Sequence, residues 1–268
     1  EDRARVFGLM GAAFGLGFVI GPAIGGLLGD FGPRVPFFVA AALTGMNFVF
    51  GYFVLPETLP PDQRRPFSLR RSNPVGALKV FASYRGVVPL AAVMFAYFLA
   101  TSVYPAIWAF WGIARFGWSE AMIGLTLAAF GLITAIIQGT LTGPTVKWLG
   151  EKNTVIFGLA VSVIAAAGYA WAPGLLAVMV LLVIHAPEGF VHPALTAMMS
   201  KSAPPDAQGE LQGGIASLQS IAMLIGTVFF AQVFGWFMQP TSPIVTPSAG
   251  YVIAAVILAG VLAFFLLL

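Results

Sequence analysis

The sequence contains no cysteine and few charged residues. Of its 268 residues, 9% are Asp, Glu, Lys or Arg, whereas 59% are hydrophobic. Without cysteine, disulfide bonds and thiolate metal sites are excluded. A soluble domain carries about 25% charged residues, and much of any folded surface must stay in contact with water. The low charge therefore excludes a soluble globular protein and predicts that lipid covers the apolar surface.

Long apolar runs follow one another along the chain, separated by short segments rich in Gly and Pro. A helix needs ~20 apolar residues to cross a bilayer core, and only helices or closed barrels satisfy their backbone groups in lipid. No barrel-like alternation is present, so we predict an all-α membrane bundle. The eight predicted spans lie near residues 7–29, 36–55, 87–113, 120–143, 154–172, 174–200, 211–237 and 249–268.

The basic residues predict the orientation of these spans. With the N-terminus in the cytoplasm, 11 of the 13 Lys and Arg residues lie inside, and only Arg34 and Arg115 lie outside. This asymmetry follows the positive-inside rule and explains the basic composition without a nucleic-acid partner. Both termini of the chain are then cytoplasmic. Trp111, Trp118 and Trp236 fall at outer boundaries, where we expect them to join aromatic belts facing the headgroups.

A weak internal repeat predicts the domain organisation. Shifting the sequence by 205 residues places Glu1 on Asp206 and Gly21 on Gly226, which pairs the first span with the seventh. Such a pairing indicates a repeat unit of six helices, common in transporters. Residues 57–85 are rich in proline and basic residues, as an interdomain loop would be, and 75–85 could form a short amphipathic helix. We therefore expect residues 1–56 to end one six-helix half, 86–268 to form the other, and four spans to be missing from the front.

Small residues recur at helical spacing in the first span. A glycine every four residues leaves a groove on one helix face, into which another helix can pack closely. Pro22 removes one backbone hydrogen bond and should bend this helix. The residues of this stripe are Gly17, Gly21, Gly25 and Gly29, with Gly26 beside them.

The string from Gly17 to Gly26 resembles the antiporter motif in the fifth helix of drug/proton antiporters of the major facilitator superfamily. That resemblance implies a twelve-helix transporter, the export of a drug, and a motif of Gly17, Gly21, Pro22, Gly25 and Gly26 that seals the two halves together. Strings at 2–8, 55–60, 115–119, 142–152, 193–200 and 208–213 are similar to the tetracycline efflux subgroup.

The chain departs from that subgroup at two positions linked to transport. Thr134 stands where those exporters carry a histidine, and Ser162 stands where they carry an aspartate. The resemblance implies a proton-coupled exporter of a tetracycline-like drug, whereas the two departures leave open whether tetracycline itself is the substrate.

A polar cluster interrupts the sixth span near its centre. Spacings of three, four and seven residues put His185, Glu188 and His192 on one helical face. A charged group at this depth costs at least ~2.5 kcal/mol, so such residues usually face a cavity and have a function. A carboxyl group beside an imidazole can gain and lose a proton near neutral pH. We therefore predict that Glu188 carries a proton, tuned by His185 or His192.

Other interpretations of this cluster remain open. The three side chains could simply hydrogen-bond one another and neighbouring helices. Two imidazoles and a carboxylate form a partial zinc set, but no fourth ligand is visible, so we expect no metal. The hydrolase strings His-Glu-x-x-His and Gly-x-Ser-x-Gly are absent, as is a phosphate-binding loop. We accordingly expect neither an enzyme nor a cofactor.

The predicted substrate cavity follows from the resemblance, which implies that the third and sixth spans line it. Aromatic rings with a few hydroxyl and amide groups suit a flat, amphipathic organic molecule, although any of them could instead face lipid or the core. The cavity candidates are Tyr97, Thr101, Tyr104 and Trp108 in the third span, with Thr134 and Gln138 in the fourth.

The predicted function is proton-coupled efflux across a bacterial inner membrane by alternating access. We expect a small-molecule substrate and protons as the partners, the lipid bilayer as the environment, and a monomer. Two alternatives stay open, namely an uptake permease of the same superfamily and a membrane receptor or scaffold that transports nothing.

Overall fold

The computed structural model describes residues 17, 20–21, 24–29, 31–54, 79–84, 86–204 and 207–268. Throughout this described part the regular structure is helical. Residues 24–29 are helical, and nine further α-helices and one 3-10 turn follow. They are α1 (Val35–Val54), α2 (Lys79–Ser83), α3 (Val87–Thr101), α4 (Val103–Phe116), α5 (Glu120–Trp171), α6 (Leu175–His185), the 3-10 turn (Ala186–Phe190), α7 (Val191–Lys201), α8 (Gln208–Phe237) and α9 (Ala249–Leu267).

Six stretches of the described chain are long and apolar enough to cross a membrane. They are Val35–Val54, Val87–Phe116, Glu120–Trp171, Leu175–Lys201, Gln208–Phe237 and Ala249–Leu267. Each of the predicted spans from residue 36 onward lies within one of these stretches or extends at most one residue beyond it. Most of the predicted first span, 7–29, lies outside the described residues.

The longest helix, α5, folds back on itself at Gly150. Its 52 residues would extend about 78 Å if straight, more than twice the thickness of a bilayer core. Gly150 has φ 76°, a backbone conformation that glycine adopts without strain. Trp108 donates a hydrogen bond to Thr126 and also packs against Tyr169, although a straight helix would hold those two residues about 65 Å apart. The two halves of α5 are therefore the separate spans predicted at 120–143 and 154–172.

Proline interrupts two of the crossing helices near mid-membrane. In the third span, α3 and α4 meet at Ser102, whose hydroxyl donates to the Leu99 carbonyl at 2.6 Å. Pro105 lies one turn further on and cannot donate a backbone hydrogen bond. In the sixth span, Pro187 stands inside the 3-10 turn that separates α6 from α7. The helices therefore bend locally at Ser102 and at the 3-10 turn, where polar side chains lie inside the protein.

The buried core runs from Val80 to Phe265 and has aromatic residues at its centre. Trp111, Tyr169 and Tyr251 are fully buried and contact one another. By contrast, no residue of α1 is buried within the described part of the protein. The short helix α2 places Val80 and Phe81 in the core, within the region where the sequence predicts an amphipathic helix.

Two of the three predicted belt tryptophans are in the core, so that prediction is wrong for them. Trp111 is 0% and Trp118 is 9% exposed, whereas Trp236 is 49% exposed. The Trp111 indole N–H donates to the Ser248 hydroxyl at 3.2 Å. The Trp118 ring stacks on Phe116 and fills the space beside Gly112. Both indole rings are therefore buried by contacts within the protein. A position near the end of a span does not predict such contacts.

Candidate functional site

The centre of the candidate site is a contact between His185 and Glu188. His185 is the last residue of α6, and Glu188 lies in the 3-10 turn that follows. Side chains three residues apart eclipse one another in a 3-10 helix. The imidazole Nε2 therefore lies 2.5 Å from the Glu188 Oε2, and both side chains are largely buried. Pro187 favours this turn because it has no N–H for an α-helical hydrogen bond.

Two tyrosines from other spans extend the pair on both sides. The Tyr97 hydroxyl, from α3, donates to the Glu188 Oε1 at 3.2 Å. The Tyr169 hydroxyl, near the end of α5, lies 3.4 Å from the His185 Nδ1. Tyr97, Glu188, His185 and Tyr169 thus form one connected row of polar groups. Both carboxylate oxygens and both ring nitrogens have a partner, as buried polar groups require.

Aromatic rings enclose the imidazole of His185. The Tyr104 ring lies 4.4 Å from it, and the Phe130 ring stacks on it at 4.8 Å, measured between ring centroids. Trp108 packs edge-on against Tyr169 at 5.3 Å, and its indole N–H donates to the Thr126 hydroxyl at 3.0 Å. Such walls exclude water, which makes the electrostatic interactions inside them stronger than at a surface.

The third member of the predicted cluster, His192, lies elsewhere. Its ring sits 5.5 Å from the Phe98 ring, one turn beyond the 3-10 turn. The prediction of a single face assumed a continuous α-helix, and the tighter turn at 186–190 changes the angle between His192 and the pair. Among the described residues, no group of three or more His, Cys, Asp and Glu side chains is arranged to hold a metal ion.

The predicted cavity residues divide into those near the pair and those turned away from it. Tyr97 and Tyr104 contact the pair directly. The amide of Gln138 occupies the space into which a Cβ on Gly189, the neighbour of Glu188, would project. Trp108 is buried in the aromatic core, one helical turn beyond Tyr104. The Thr101 hydroxyl donates to the Phe98 carbonyl of its own helix at 3.4 Å.

The two positions at which the chain departs from the tetracycline subgroup are both occupied by buried hydroxyl groups. Ser162 donates to the Gly158 carbonyl of its own helix at 2.8 Å, so its hydrogen bond is satisfied locally. The Thr134 hydroxyl is buried and has no hydrogen-bond partner in the described part of the chain.

Sequence reasoning missed Tyr169 and Phe130. Both stand in otherwise apolar helices at 120–143 and 154–172, where an isolated aromatic residue has no local signature of function. Their role depends on contacts with His185 from separate spans. The only hint in the sequence was the phenol oxygen of Tyr169 within an apolar run.

The glycine stripe contacts the start of α5. A Cβ on Gly26 would meet the Glu120 carbonyl and the Gly124 Cα at 3.7 Å, and one on Gly29 would lie 2.6 Å from the Glu120 Oε2. Nothing described lies within 4 Å of such an atom on Gly17, Gly21 or Gly25. Pro22 lies outside the described residues. The end of the stripe therefore packs against another span with no room for a large side chain.

Comparison with known proteins identifies relatives over most of the chain. A family model described as Major Facilitator Superfamily matches residues 1–227. The tetracycline resistance protein, class C, of Escherichia coli is 40% identical over 237 residues, covering 87% of this chain and 59% of that protein. The class G protein of Vibrio anguillarum is 37% identical over 240 residues, with coverage of 87% and 59%. The chain thus spans 59% of the length of these two curated relatives.

The fold agrees with a solved transporter structure. The human organic anion transporter MFSD10 (TETRAN) superposes with a TM-score of 0.70, over 96% of this chain and 62% of that one. Sequence identity to it is 23%, so this similarity concerns the fold alone. The predicted resemblance to tetracycline exporters and the predicted all-α transporter fold are both confirmed.

Proposed function

Because the chain belongs to the major facilitator superfamily, we propose that it acts in proton-coupled export of a small amphipathic compound. Members of this family are multi-pass membrane transporters rather than enzymes. The identity of 40% to a tetracycline resistance protein supports a tetracycline-like drug as the substrate class. Thr134 and Ser162 favour a substrate range that differs from that of the tetracycline exporters.

The observation that carries the proton coupling is the depth and pairing of Glu188. It lies near the middle of the span Leu175–Lys201, with its carboxylate held by His185 on one side and Tyr97 on the other. An intramembrane carboxyl group is costly and is normally retained for function. Glu188 is therefore the proposed proton carrier, with His185 as its partner. In this proposal His192, which lies beside Phe98, contributes less to the proton coupling than His185 does.

The proposed substrate cavity opens beside this pair. Tyr97, Tyr104 and Gln138 supply hydroxyl and amide groups beside the pair. Thr134, in the same span as Gln138, completes this proposed lining, whereas Thr101 and Trp108 are turned away from the pair. The hydroxyls of Tyr104 and Thr134, which have no hydrogen-bond partner among the described residues, would face a polar group of the substrate in this proposal. Aromatic walls with a few polar groups fit a flat organic molecule.

The proposed organisation assigns residues 1–56 to one half, 57–85 to a cytoplasmic loop and 86–268 to the other half. The core residues from Val87 to Phe265 support grouping 86–268 as one half, and Val80 and Phe81 at the end of the loop pack against that core. The excess of basic residues on one side supports cytoplasmic termini in a bacterial inner membrane. The packing of Gly26 and Gly29 on α5 supports contact between the halves, as the antiporter motif implies.

Everted membrane vesicles from cells that express the intact gene test this function. A proton gradient is imposed, and its collapse is followed when tetracycline, and then ethidium, is added. Collapse that depends on the drug and on the gene is the expected result. A response to ethidium alone would indicate a substrate range different from that of the tetracycline exporters, as Thr134 and Ser162 favour. An uptake permease would be indicated instead if neither compound collapsed the gradient in vesicles and if intact cells that express the gene accumulated a solute.

A further inference from the structure

Gly189 follows Glu188 in the 3-10 turn and leaves a space that a side chain from another span fills. A Cβ on Gly189 would overlap the amide nitrogen of Gln138 and would lie 2.6 Å from its Cδ and 2.9 Å from its Cγ. The backbone does not require glycine at this position, because φ at Gly189 is not positive. The side chain of Gln138, which reaches the backbone of the turn beside Glu188, therefore accounts for the glycine.

This contact is one of two by which the first half of α5 faces the polar centre of the sixth span. Phe130 stacks on the His185 ring, and Gln138 lies at Gly189. Residues four apart lie on one face of a helix, so Thr134 lies between the two contacts, and its hydroxyl is buried. The same face of α5 thus carries the proposed substrate-binding groups of this span and a direct contact with the 3-10 turn.

The second half of α5 contacts the same turn in a more rigid way. A Cβ on Gly158 would lie 3.5 Å from the Pro187 carbonyl oxygen and 3.5 Å from the Val191 backbone nitrogen. Here the backbones of two helices approach each other, and neither can rotate away. Gln138, by contrast, contacts the turn with the end of a flexible side chain. Of these two contacts, the one at Gly189 can therefore be broken without moving a helix.

Gln138 is more accessible than the carboxylate beside it. Gln138 is exposed in the described part of the chain, whereas the side chain of Glu188 is 12% exposed. The carboxylate already has His185 and Tyr97 as partners. An amide offers both hydrogen-bond donors and an acceptor, so a polar group of a substrate can bind it. A substrate can thus reach Gln138 while Glu188 keeps its own partners.

We propose that Gln138 links substrate binding to Glu188 through the space beside Gly189. This link rests on the proposed function and adds the residue through which the substrate acts on the proton carrier. Without substrate, the amide packs on the turn and keeps Glu188 against His185. A bound substrate forms hydrogen bonds with the amide and draws it away, so the turn can move and the pairing with His185 changes. The proton affinity of Glu188 then differs between the empty and the loaded protein, as coupled transport requires.

The test compares two transport modes of the reconstituted protein encoded by the intact gene. In the first mode an imposed pH gradient drives transport of labelled tetracycline, or of ethidium if the vesicle assay identifies it as the substrate. In the second mode labelled and unlabelled substrate exchange at equal pH, without net proton movement. Gly189→Ala keeps every polar group but places a methyl group where the Gln138 amide lies. Gly260→Ala adds the same methyl group on α9, where no described atom lies within 4 Å.

The link predicts that Gly189→Ala slows gradient-driven transport by about tenfold and leaves exchange unchanged, because the amide can still bind substrate but no longer contacts the turn. Gly260→Ala should match the unchanged protein in both modes. Equal loss of both modes in a folded Gly189→Ala protein would mean a structural role and would overturn the link, as would normal transport in both. If the unchanged protein shows no gradient-driven transport, the proposed function itself fails, and the link fails with it before any variant is made.

Gln138→Ala provides a second test and serves if Gly189→Ala does not fold. It also removes a partner of the substrate, so exchange should need a higher substrate concentration. At saturating substrate it should slow gradient-driven transport by about tenfold and leave exchange unchanged. Combining it with Gly189→Ala should cause no further loss, because both changes remove the same contact. Losses that multiply in the double variant would show two independent effects and would overturn the link.

Discussion

Tyr97 donates a hydrogen bond of 3.2 Å to the Glu188 carboxylate, although 91 residues separate them along the chain. This contact joins α3 to the 3-10 turn between α6 and α7. It also gives the carboxylate a donor from a different span than the one that carries His185. A relative movement of these two spans would therefore change the surroundings of the carboxylate, as alternating access requires.

The first prediction concerns the carboxyl group itself. Glu188→Gln keeps the size of the side chain and one acceptor oxygen, but it replaces the other oxygen with an amide donor and cannot carry a proton. We expect gradient-driven transport to fall about tenfold or more, while substrate exchange at equal pH persists. The control is Glu151→Gln, which changes a carboxylate that is paired with the exposed Lys201 outside the predicted spans. Transport by Glu188→Gln at the unchanged rate and pH dependence would rule out the proposed role.

A second prediction concerns a close contact between two helices in the core. A Cβ on Gly226 would overlap the Ser102 hydroxyl and would lie 2.5 Å from the Leu99 carbonyl oxygen, a backbone atom that cannot rotate away. Gly226→Ala should therefore destabilise the protein by about 1–3 kcal/mol. Gly235→Ala, in the same helix, has nothing within 4 Å and should be neutral or slightly stabilising. Thermal unfolding in detergent compares the two, and equal melting temperatures would contradict the packing.

A third prediction concerns the hydrogen bond between Trp108 and Thr126. Thr126→Val keeps the shape of the side chain but removes the acceptor of the buried indole N–H. We expect a loss of about 1–3 kcal/mol, the cost of an unsatisfied buried donor. Thr140→Val is the control, because its exposed hydroxyl bonds only the Ile136 carbonyl of its own helix. Combining Thr126→Val with Trp108→Phe should cost less than the sum of the two changes, whereas full additivity would argue against the bond.

A fourth prediction concerns the glycine stripe. Because a Cβ on Gly26 would be at ordinary contact distance from α5, at 3.7 Å, Gly26→Ala should be tolerated. Gly26→Leu should separate the helices, at a cost of about 1–3 kcal/mol, and should abolish gradient-driven export. Gly45→Leu on α1, with open space around it, controls for added bulk. Normal export by Gly26→Leu would show that this contact does not seal the transporter.

A fifth prediction concerns the ion pair between Lys201 and Glu151. Lys201 Nζ lies 2.8 Å from the Glu151 Oε2, but the lysine side chain is 71% exposed. Solvent screens such a pair, so Lys201→Ala should cost at most about 1 kcal/mol. The cost should shrink further at high salt. A loss well beyond this range, measured by unfolding in detergent, would show that solvent does not screen the pair.

The membrane class and the spans from residue 36 onward could be predicted from the sequence. Hydropathy is a local property, and lipid permits only a helix for an apolar run of this length. The break at Gly150 could be placed for the same reason, because an uninterrupted stretch would exceed the bilayer. The polar residues His185 and Glu188 also stood out, since charge within an apolar span is costly wherever the span lies.

What surrounds those residues was decided only by the tertiary structure. The sequence predicted one face for His185, Glu188 and His192 because it assumed α-helical spacing, whereas the 3-10 turn pairs the first two and leaves His192 beside Phe98. Trp111 and Trp118 were expected at the headgroups, but partners on other helices bury them. Tyr97 and Tyr169 reach the pair from separate spans. Such contacts depend on how the helices pack, and hydropathy and spacing within one helix do not determine that packing.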